Sequence, residues 1–264
     1  VFPNRPDMLS EQGFARALSS FIGAKTGLRQ YKVKKSGLKV IVDPSVTMRP
    51  YTACAIVKNC SFSDEKIREI MQTQEKLALT HGRNRKKSAY GVYPLREIKF
   101  PVHYIAKDAS KVRFRPLGFD HEIAASQVEE LHPKGKEYAF VLENFDKYPV
   151  LVDAKNEVLS FIPIINSNFT GKLEVDDEDI FFEATGTDEE AVNLAANIFA
   201  YAFYDRKFDV YSVEVRYPYR KIAAPDIKKE QISIKNEQIK KLFGIELAET
   251  EIRNLLEKAQ YDYK

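Results

Sequence analysis

Residues 191–204 constrain the fold more than any other stretch. At helical spacing their apolar side chains cover most of the surface instead of one stripe, so this helix must be buried. Thr187-Asp188-Glu189-Glu190, just before it, has the pattern of a capping box. Strand candidates flank it at 180–185 and 210–217, the second alternating apolar and polar residues.

The rest of the chain supplies more elements of both kinds. Met8, Leu9, Phe14, Ala15, Leu18, Phe21 and Ile22 recur at helical spacing, with Asp7 or Ser10 to cap the helix and Gly23 to end it. After a basic linker at 29–35, strands are predicted at 38–42 and 53–57, joined through Pro44 and Pro50. Ser63-Asp64-Glu65 opens a second helix along Ile67, Ile70, Met71, Leu77 and Ala78, with Gly82 as its stop. Strands follow at 88–93 and 102–105. Residues 107–135 are polar and irregular, with a helix candidate at 122–131. Short β segments are predicted at 150–153, 158–160 and 161–165, the first two joined by a turn at 153–157. Past Pro218 and Pro225 the composition shifts to Lys and Glu, and 234–243, Gly244 and 249–259 read as a helical hairpin. Strands and helices mix without a βαβα rhythm, which predicts an α+β fold with a mixed sheet and packed helices.

Charge and cysteine content narrow the function classes. The formal net charge is only +3, so any nucleic-acid surface has to come from local clustering. Two cysteines, Cys54 and Cys60, suit a reducing cytosol and exclude a disulfide-built scaffold, which predicts a cytoplasmic protein. No apolar run approaches the roughly 20 residues of a membrane span. Residues 1–7 lack the marks of a signal peptide. That turn-rich opening and the unpartnered hairpin at the other end read as a piece cut from a longer protein.

Few motifs announce chemistry. His81, His103, His121 and His132 have no companion at metal-ligand spacing, so no metal site is expected. His121 and His132 read as surface residues, and Cys54, in an apolar strand, as core. There is no Gly-x-Ser-x-Gly elbow, phosphate loop or Rossmann glycine string. The run Arg83, Arg85, Lys86, Lys87 reads either as a solvated loop or as a patch that tracks a sugar-phosphate backbone. The stretch 151–185 also has two readings. It forms core strands with an occasional outward polar residue, or a pocket with apolar walls and a few fixed polar groups. In the pocket, Glu183 would need a hydrogen-bond partner, and a ligand hydroxyl would serve.

Several of these strings occur together in one known family. Asn4-Arg5-Pro6-Asp7 before a helix, Gln74-Glu75-Lys76-Leu77 with the basic run after it, Leu151-Val152-Asp153, Val158-Leu159-Ser160, Pro163-Ile164-Ile165-Asn166-Ser167, Glu183-Ala184-Thr185-Gly186 and the hairpin around Phe243-Gly244 resemble, in this order, the β subunits of archaeal- and eukaryal-type phenylalanine–tRNA ligases. The resemblance covers essentially the whole chain. It implies three parts: residues 1–36 as the tail of an N-terminal module, 37–222 as an aminoacyl-tRNA editing domain, and 223–264 as the truncated start of a following helical-hairpin module.

The resemblance also implies a function: hydrolysis of mischarged tyrosyl-tRNA(Phe) by water, with no cofactor for editing. ATP and Mg²⁺ would serve the full ligase on its α subunit, in an assembly of two α and two β subunits that binds tRNA(Phe). Carried over by position, Leu151 would wall the aromatic ring. Glu183 and Asn166 would hold the phenolic hydroxyl or orient the substrate. Ser160 and Thr185 would place the ester or the attacking water. Arg83, Arg85, Lys86 and Lys87 would contact the tRNA backbone. A non-catalytic module that holds tRNA or the α subunit, and a free-standing editing hydrolase, are the rival readings.

Overall fold

A computed structural model describes residues 4–143 and 145–263. Residues 1–3 and 264, on which the expectation of cut ends partly rests, lie outside the described residues. Along the chain come α1 (Glu11–Phe21), β1 (Lys34–Val42), β2 (Tyr51–Lys58), α2 (Asp64–Leu79), β3 (Ser88–Pro94), β4 (Val102–Lys107), β5 (Arg113–Phe114), β6 (Ile123–Ala124), α3 (Ala125–Leu131) and α4 (Pro133–Tyr138). Then follow β7 (Tyr148–Val152), β8 (Val158–Phe161), β9 (Ile165–Asn166), β10 (Ile180–Gly186), α5 (Glu189–Asp205), β11 (Asp209–Arg216), β12 (Lys221–Ala224), α6 (Asn236–Phe243) and α7 (Glu249–Lys258). The fold is α+β, as the mixed pattern predicts.

Helix starts follow local chemistry. The hydroxyls of Ser10 and Ser63 and the carboxylate of Asp188 accept the free N–H groups of Gly13, Lys66 and Ala191, opening α1, α2 and α5. Gly244 closes α6 in the left-handed region at φ 73°, where a side chain would be strained. α4, β12 and the short β5 and β6 were not anticipated, β1 begins inside the stretch read as a linker, and the strand expected at 161–165 is broken by a turn at 162–164 between β8 and β9.

Ten strands form one mixed sheet in the order β3-β10-β2-β11-β1-β4-β7-β8-β9, with β12 also on β11. β1 runs parallel to β11 and β4, and the other pairings are antiparallel. β11 changes partner midway: 209–212 pair with β2, 213–216 with β12.

The sheet curls until its two ends meet. Asn166, on β9 at one end, gives its amide Nδ2 to the carbonyl of Val92 on β3 at the other, at 3.5 Å. Arg85, just before β3, donates to the carbonyls of Pro163 and Ile164 at 2.9 and 3.0 Å. The concave side holds one cluster drawn from both halves: Cys54, Ile56, Tyr93, Tyr104, Leu151, Leu159, Phe181 and Val213. On the convex side α2 and α5 cover Ala53, Ala55, Val92, Phe182 and Ala184, while α3 and α4 cover Val150, Val152 and Phe161. β10 is therefore buried on both faces, which is why it reads as a nearly unbroken apolar run. Among the described residues no helix is long and apolar enough to cross a membrane.

Candidate functional site

Side chains alternate across a strand, so Phe181, Glu183 and Thr185 face the concave interior together. Register does the rest. Glu183 lies opposite Cys54 on β2 and opposite Gly91 on β3, a cross-strand row from one half of the sheet. Tyr104, Leu151, Ser160 and Asn166 lie opposite one another across β4, β7, β8 and β9, a second row from the other half. The curl faces these rows toward each other. Leu151, Ser160, Asn166, Glu183 and Thr185, spread over 35 residues of sequence, thus reach one interior.

Glu183 is 2% exposed. Its Oε1 accepts the Tyr93 hydroxyl at 3.0 Å, and its buried Oε2 has no partner. Burial pushes its pKa up to about 8, although the Tyr93 hydrogen bond and the charge of Arg49 pull the other way. Burial and the neighbouring Glu183 raise the Tyr93 phenol well above its ordinary range, so it stays a donor. The Ser160 hydroxyl has two acceptors in reach, Ile165 O at 3.3 Å and Asn166 Oδ1 at 3.2 Å. The Thr185 hydroxyl is buried without a partner. Asn166 is half-buried and forms the rim, while the other four are closed over by side chains.

Two features depart from the pocket expected on 151–185. The hydroxyl that meets Glu183 belongs to the protein itself, through Tyr93. Leu151 is fully buried among its core neighbours, so it does not line an open slot.

Arg49 went unnoticed in the sequence because it precedes Pro50 in a connecting segment. Its guanidinium, 1% exposed, donates to the carbonyls of Arg85 at 2.9 Å, Lys86 at 3.1 Å and Thr185 at 3.1 Å. Its Nε has no partner, and its own carbonyl accepts the Tyr104 hydroxyl at 3.0 Å. Burial presses the pKa of Arg49 down, against the pull of Tyr104 and Glu183. Gly91 was also missed: a Cβ there would fall 2.6 Å from Glu183 Oε1 and would overlap the Tyr93 hydroxyl. The inward parity of Gly91 and Tyr93 on β3 was the available signal.

The basic run divides. Arg83 and Lys86 are exposed, Lys86 lying 5.0 Å above the Phe140 ring, and Lys87 pairs with Asp188 at 3.2 Å. Arg85 turns inward. It binds Glu75 at 3.1 Å, lies 3.8 Å over the Tyr138 ring, and holds the two carbonyls before β9. Its guanidinium is committed to the fold, which corrects its reading as a phosphate contact. Burial draws Glu75 upward, but Arg85, Lys134 and the Tyr138 hydroxyl together hold its carboxyl below the usual range. The loop reverses through left-handed backbone at Arg83, Asn84 and Arg85, which exposes its tip.

His132, read as a surface residue, is buried. It accepts from Lys134 N–H at 3.1 Å to open α4 and meets the Leu117 carbonyl at 3.0 Å. His121 is exposed beside Asp120. Cys54 is fully buried and its thiol is shifted up by burial, so it is core. Among the described residues no group of three His, Cys, Asp or Glu side chains is placed to hold a metal ion.

No family model matches the chain. Over 98% of its length it is 42% identical to the phenylalanine–tRNA ligase beta subunit of Archaeoglobus fulgidus and 38% identical to that of Pyrococcus horikoshii. It spans 47% of each, about half the length of the curated relatives it matches. Among solved structures it is similar to an N-terminal fragment of the phenylalanyl-tRNA synthetase beta subunit from Pyrococcus horikoshii. That match has a TM-score of 0.96 and 38% identity, and covers 99% of this chain and 76% of the fragment.

Proposed function

The chain belongs to the phenylalanine–tRNA ligase β-subunit family, and from that premise we propose that the interior of its curled sheet is the editing site that hydrolyses tyrosyl-tRNA(Phe). Tyrosine is phenylalanine with one added hydroxyl. A synthetic pocket built for the apolar ring rejects that hydroxyl only by about 10²-fold. A second site that hydrogen-bonds the hydroxyl discriminates better, because phenylalanine would leave its polar groups unpaired.

One observation carries the reading: two cross-strand rows converge on a buried carboxylate with one oxygen unpartnered. A buried polar atom left unpartnered is costly in a structural core and useful in a binding site. In this reading Glu183 and Asn166 take the phenolic hydroxyl or orient the substrate, and Leu151 backs the ring. Ser160 and Thr185 place the ester or the water. The water oxygen attacks the ester carbonyl carbon, the bond to the terminal ribose oxygen breaks, and that oxygen takes up a proton. The products are tyrosine and tRNA with a free terminal hydroxyl. Arg83, Lys86 and Lys87 are the groups offered to the tRNA backbone. The ATP- and Mg²⁺-dependent ligation, and the pairing of two α with two β subunits, are assigned on the same reading to the whole enzyme in the cytoplasm.

The closed interior favours a second reading, a module that holds tRNA or the α subunit without turnover. Deacylation of tyrosyl-tRNA(Phe) beside phenylalanyl-tRNA(Phe), by this chain alone and within the assembled α and β subunits, separates the two. Editing predicts selective release of tyrosine, lowered at least tenfold by Ser160→Ala in a variant that keeps its melting temperature within a few degrees. Equal release from both tRNAs at the uncatalysed rate, in both settings, leaves only the binding module.

A further inference from the structure

Tyr93 was absent from the residues the family resemblance assigns, yet it makes the direct contact with Glu183. Its ring is fully buried, 5.7 Å from Phe181 at 33°, in the cluster that includes Leu151 and Leu159. Gly91, one step across the sheet from Glu183, leaves the volume in which the phenol and the carboxylate meet. The pair is therefore locked by packing on four strands, β3, β10, β7 and β8.

Most other donors around the carboxylate are committed elsewhere, the exceptions being the Thr185 hydroxyl and Arg49 Nε, which are buried without a partner. Arg49 gives its Nη groups to three carbonyls. Thr52 donates to Ala184 O at 3.0 Å and Tyr104 to Arg49 O. Ser160 is turned to Ile165 O and Asn166. Oε2 is the one oxygen of the carboxylate without a donor.

We infer that Tyr93 is the positioning residue of this site: it holds Oε1 of Glu183 in place so that Oε2 is presented to the hydroxyl of a bound tyrosyl group. The inference rests on the editing reading for its ligand, while the positioning of Glu183 stands on the geometry alone. Without the Tyr93 hydroxyl the carboxylate loses the bond that fixes its orientation, and Oε2 is no longer singled out as the open oxygen. The chemical class recognised is a neutral hydroxyl on an aromatic ring, which phenylalanine lacks.

The test pairs a spectroscopic readout with a kinetic one. In the intact chain, the Glu183 carboxyl is titrated by carbon-13 NMR in wild type, Tyr93→Phe, Gly91→Ala and Phe181→Leu, with Glu183→Gln to assign the signal. The ionisable groups facing it are Tyr93 on β3, Arg49 before β2, Cys54 on β2 and Tyr104 on β4. Tyr93 stabilises the ionised carboxylate, so Tyr93→Phe and Gly91→Ala should move the titration to higher pH. Phe181→Leu, which alters packing only, should leave it in place. In deacylation, Tyr93→Phe should raise KM for tyrosyl-tRNA about tenfold, with a smaller change in kcat and none for phenylalanyl-tRNA. An unmoved titration in Tyr93→Phe overturns the positioning role. So does a moved titration with tyrosyl selectivity intact. If the wild type itself releases no tyrosine, the editing reading fails, and the titration still decides whether Tyr93 orients Glu183.

Discussion

Between α1 and α5, Arg16 is held by Asp7 at 3.0 Å and by Asp205, whose other oxygen takes the Tyr31 hydroxyl at 2.7 Å. Inside the curl of the sheet, Glu183 has one oxygen on Tyr93, the other unpartnered, and no ion pair. The first cluster joins the ends of the chain to its centre. Arg16 also offers its carbonyl to Gln260, and Ser20 donates to Glu257 O. There, opposite charges meet, and Asp205, Tyr31 and Asp7 hold the Arg16 pKa up although burial alone would lower it. In the interior, burial dominates and the carboxyl is driven toward its neutral form. Paired charge serves assembly, while a buried polar atom left open against its desolvation cost suits a ligand.

Three experiments sharpen that contrast. The largest effect is expected at the paired cluster. Arg16→Met leaves Asp205 without its cation and Asp7 with Arg5 alone, and should cost about 3 kcal/mol of stability. Chemical denaturation measures it, and tyrosine release per folded molecule should be unchanged. A loss under 1 kcal/mol would show that the paired cluster is no more structural than the open one.

Glu183→Gln should act with the opposite sign. The wild-type carboxyl titrates near 8 when folded, against 4.5 as the reference, so the folded state holds the extra proton between those values. Stability therefore declines as pH rises from about 4.5 to 8, and the glutamine variant should not share the decline. At pH 9 the variant should be the more stable, by on the order of 2 kcal/mol, while tyrosine release is lost. Parallel stability curves from pH 5 to 9 would mean that the carboxyl is not held neutral by the fold.

The smallest effects separate two neighbouring arginines. Arg85→Ala removes an inward guanidinium and should cost about 1–2 kcal/mol. Arg83→Ala should change stability by less than about 0.5 kcal/mol, and lower the salt dependence of tRNA binding by about one unit of slope. Equal melting losses in both would put Arg83 inside the fold as well.

Much of the fold was readable from local pattern. The capped helix starts at Ser10 and Ser63, the buried helix α5, the strands of the central sheet and the stop at Gly244 follow from neighbours within a few residues, while α5 is capped by Asp188, one residue after the Thr187 of its box pattern. What escaped had little local signal. α4 begins with a proline and is six residues long, and β12 is four. Arg85 and His132 looked like surface groups because their burying partners lie elsewhere in the chain.

By itself the sequence determined which residues lie on one face of one strand, since the period of two is a property of the backbone. That put Phe181, Glu183 and Thr185 together before any tertiary contact. It also determined the family, through motifs in order along the chain. Only the tertiary structure decided that the two ends of the sheet meet, that Tyr93, 90 residues away, supplies the donor to Glu183, and that Arg49 reaches the carbonyl of Thr185 across 136 residues. The reason is physical: propensity and patterning act over a turn or a strand, whereas a buried polar group is satisfied by whatever the completed fold brings within about 3 Å.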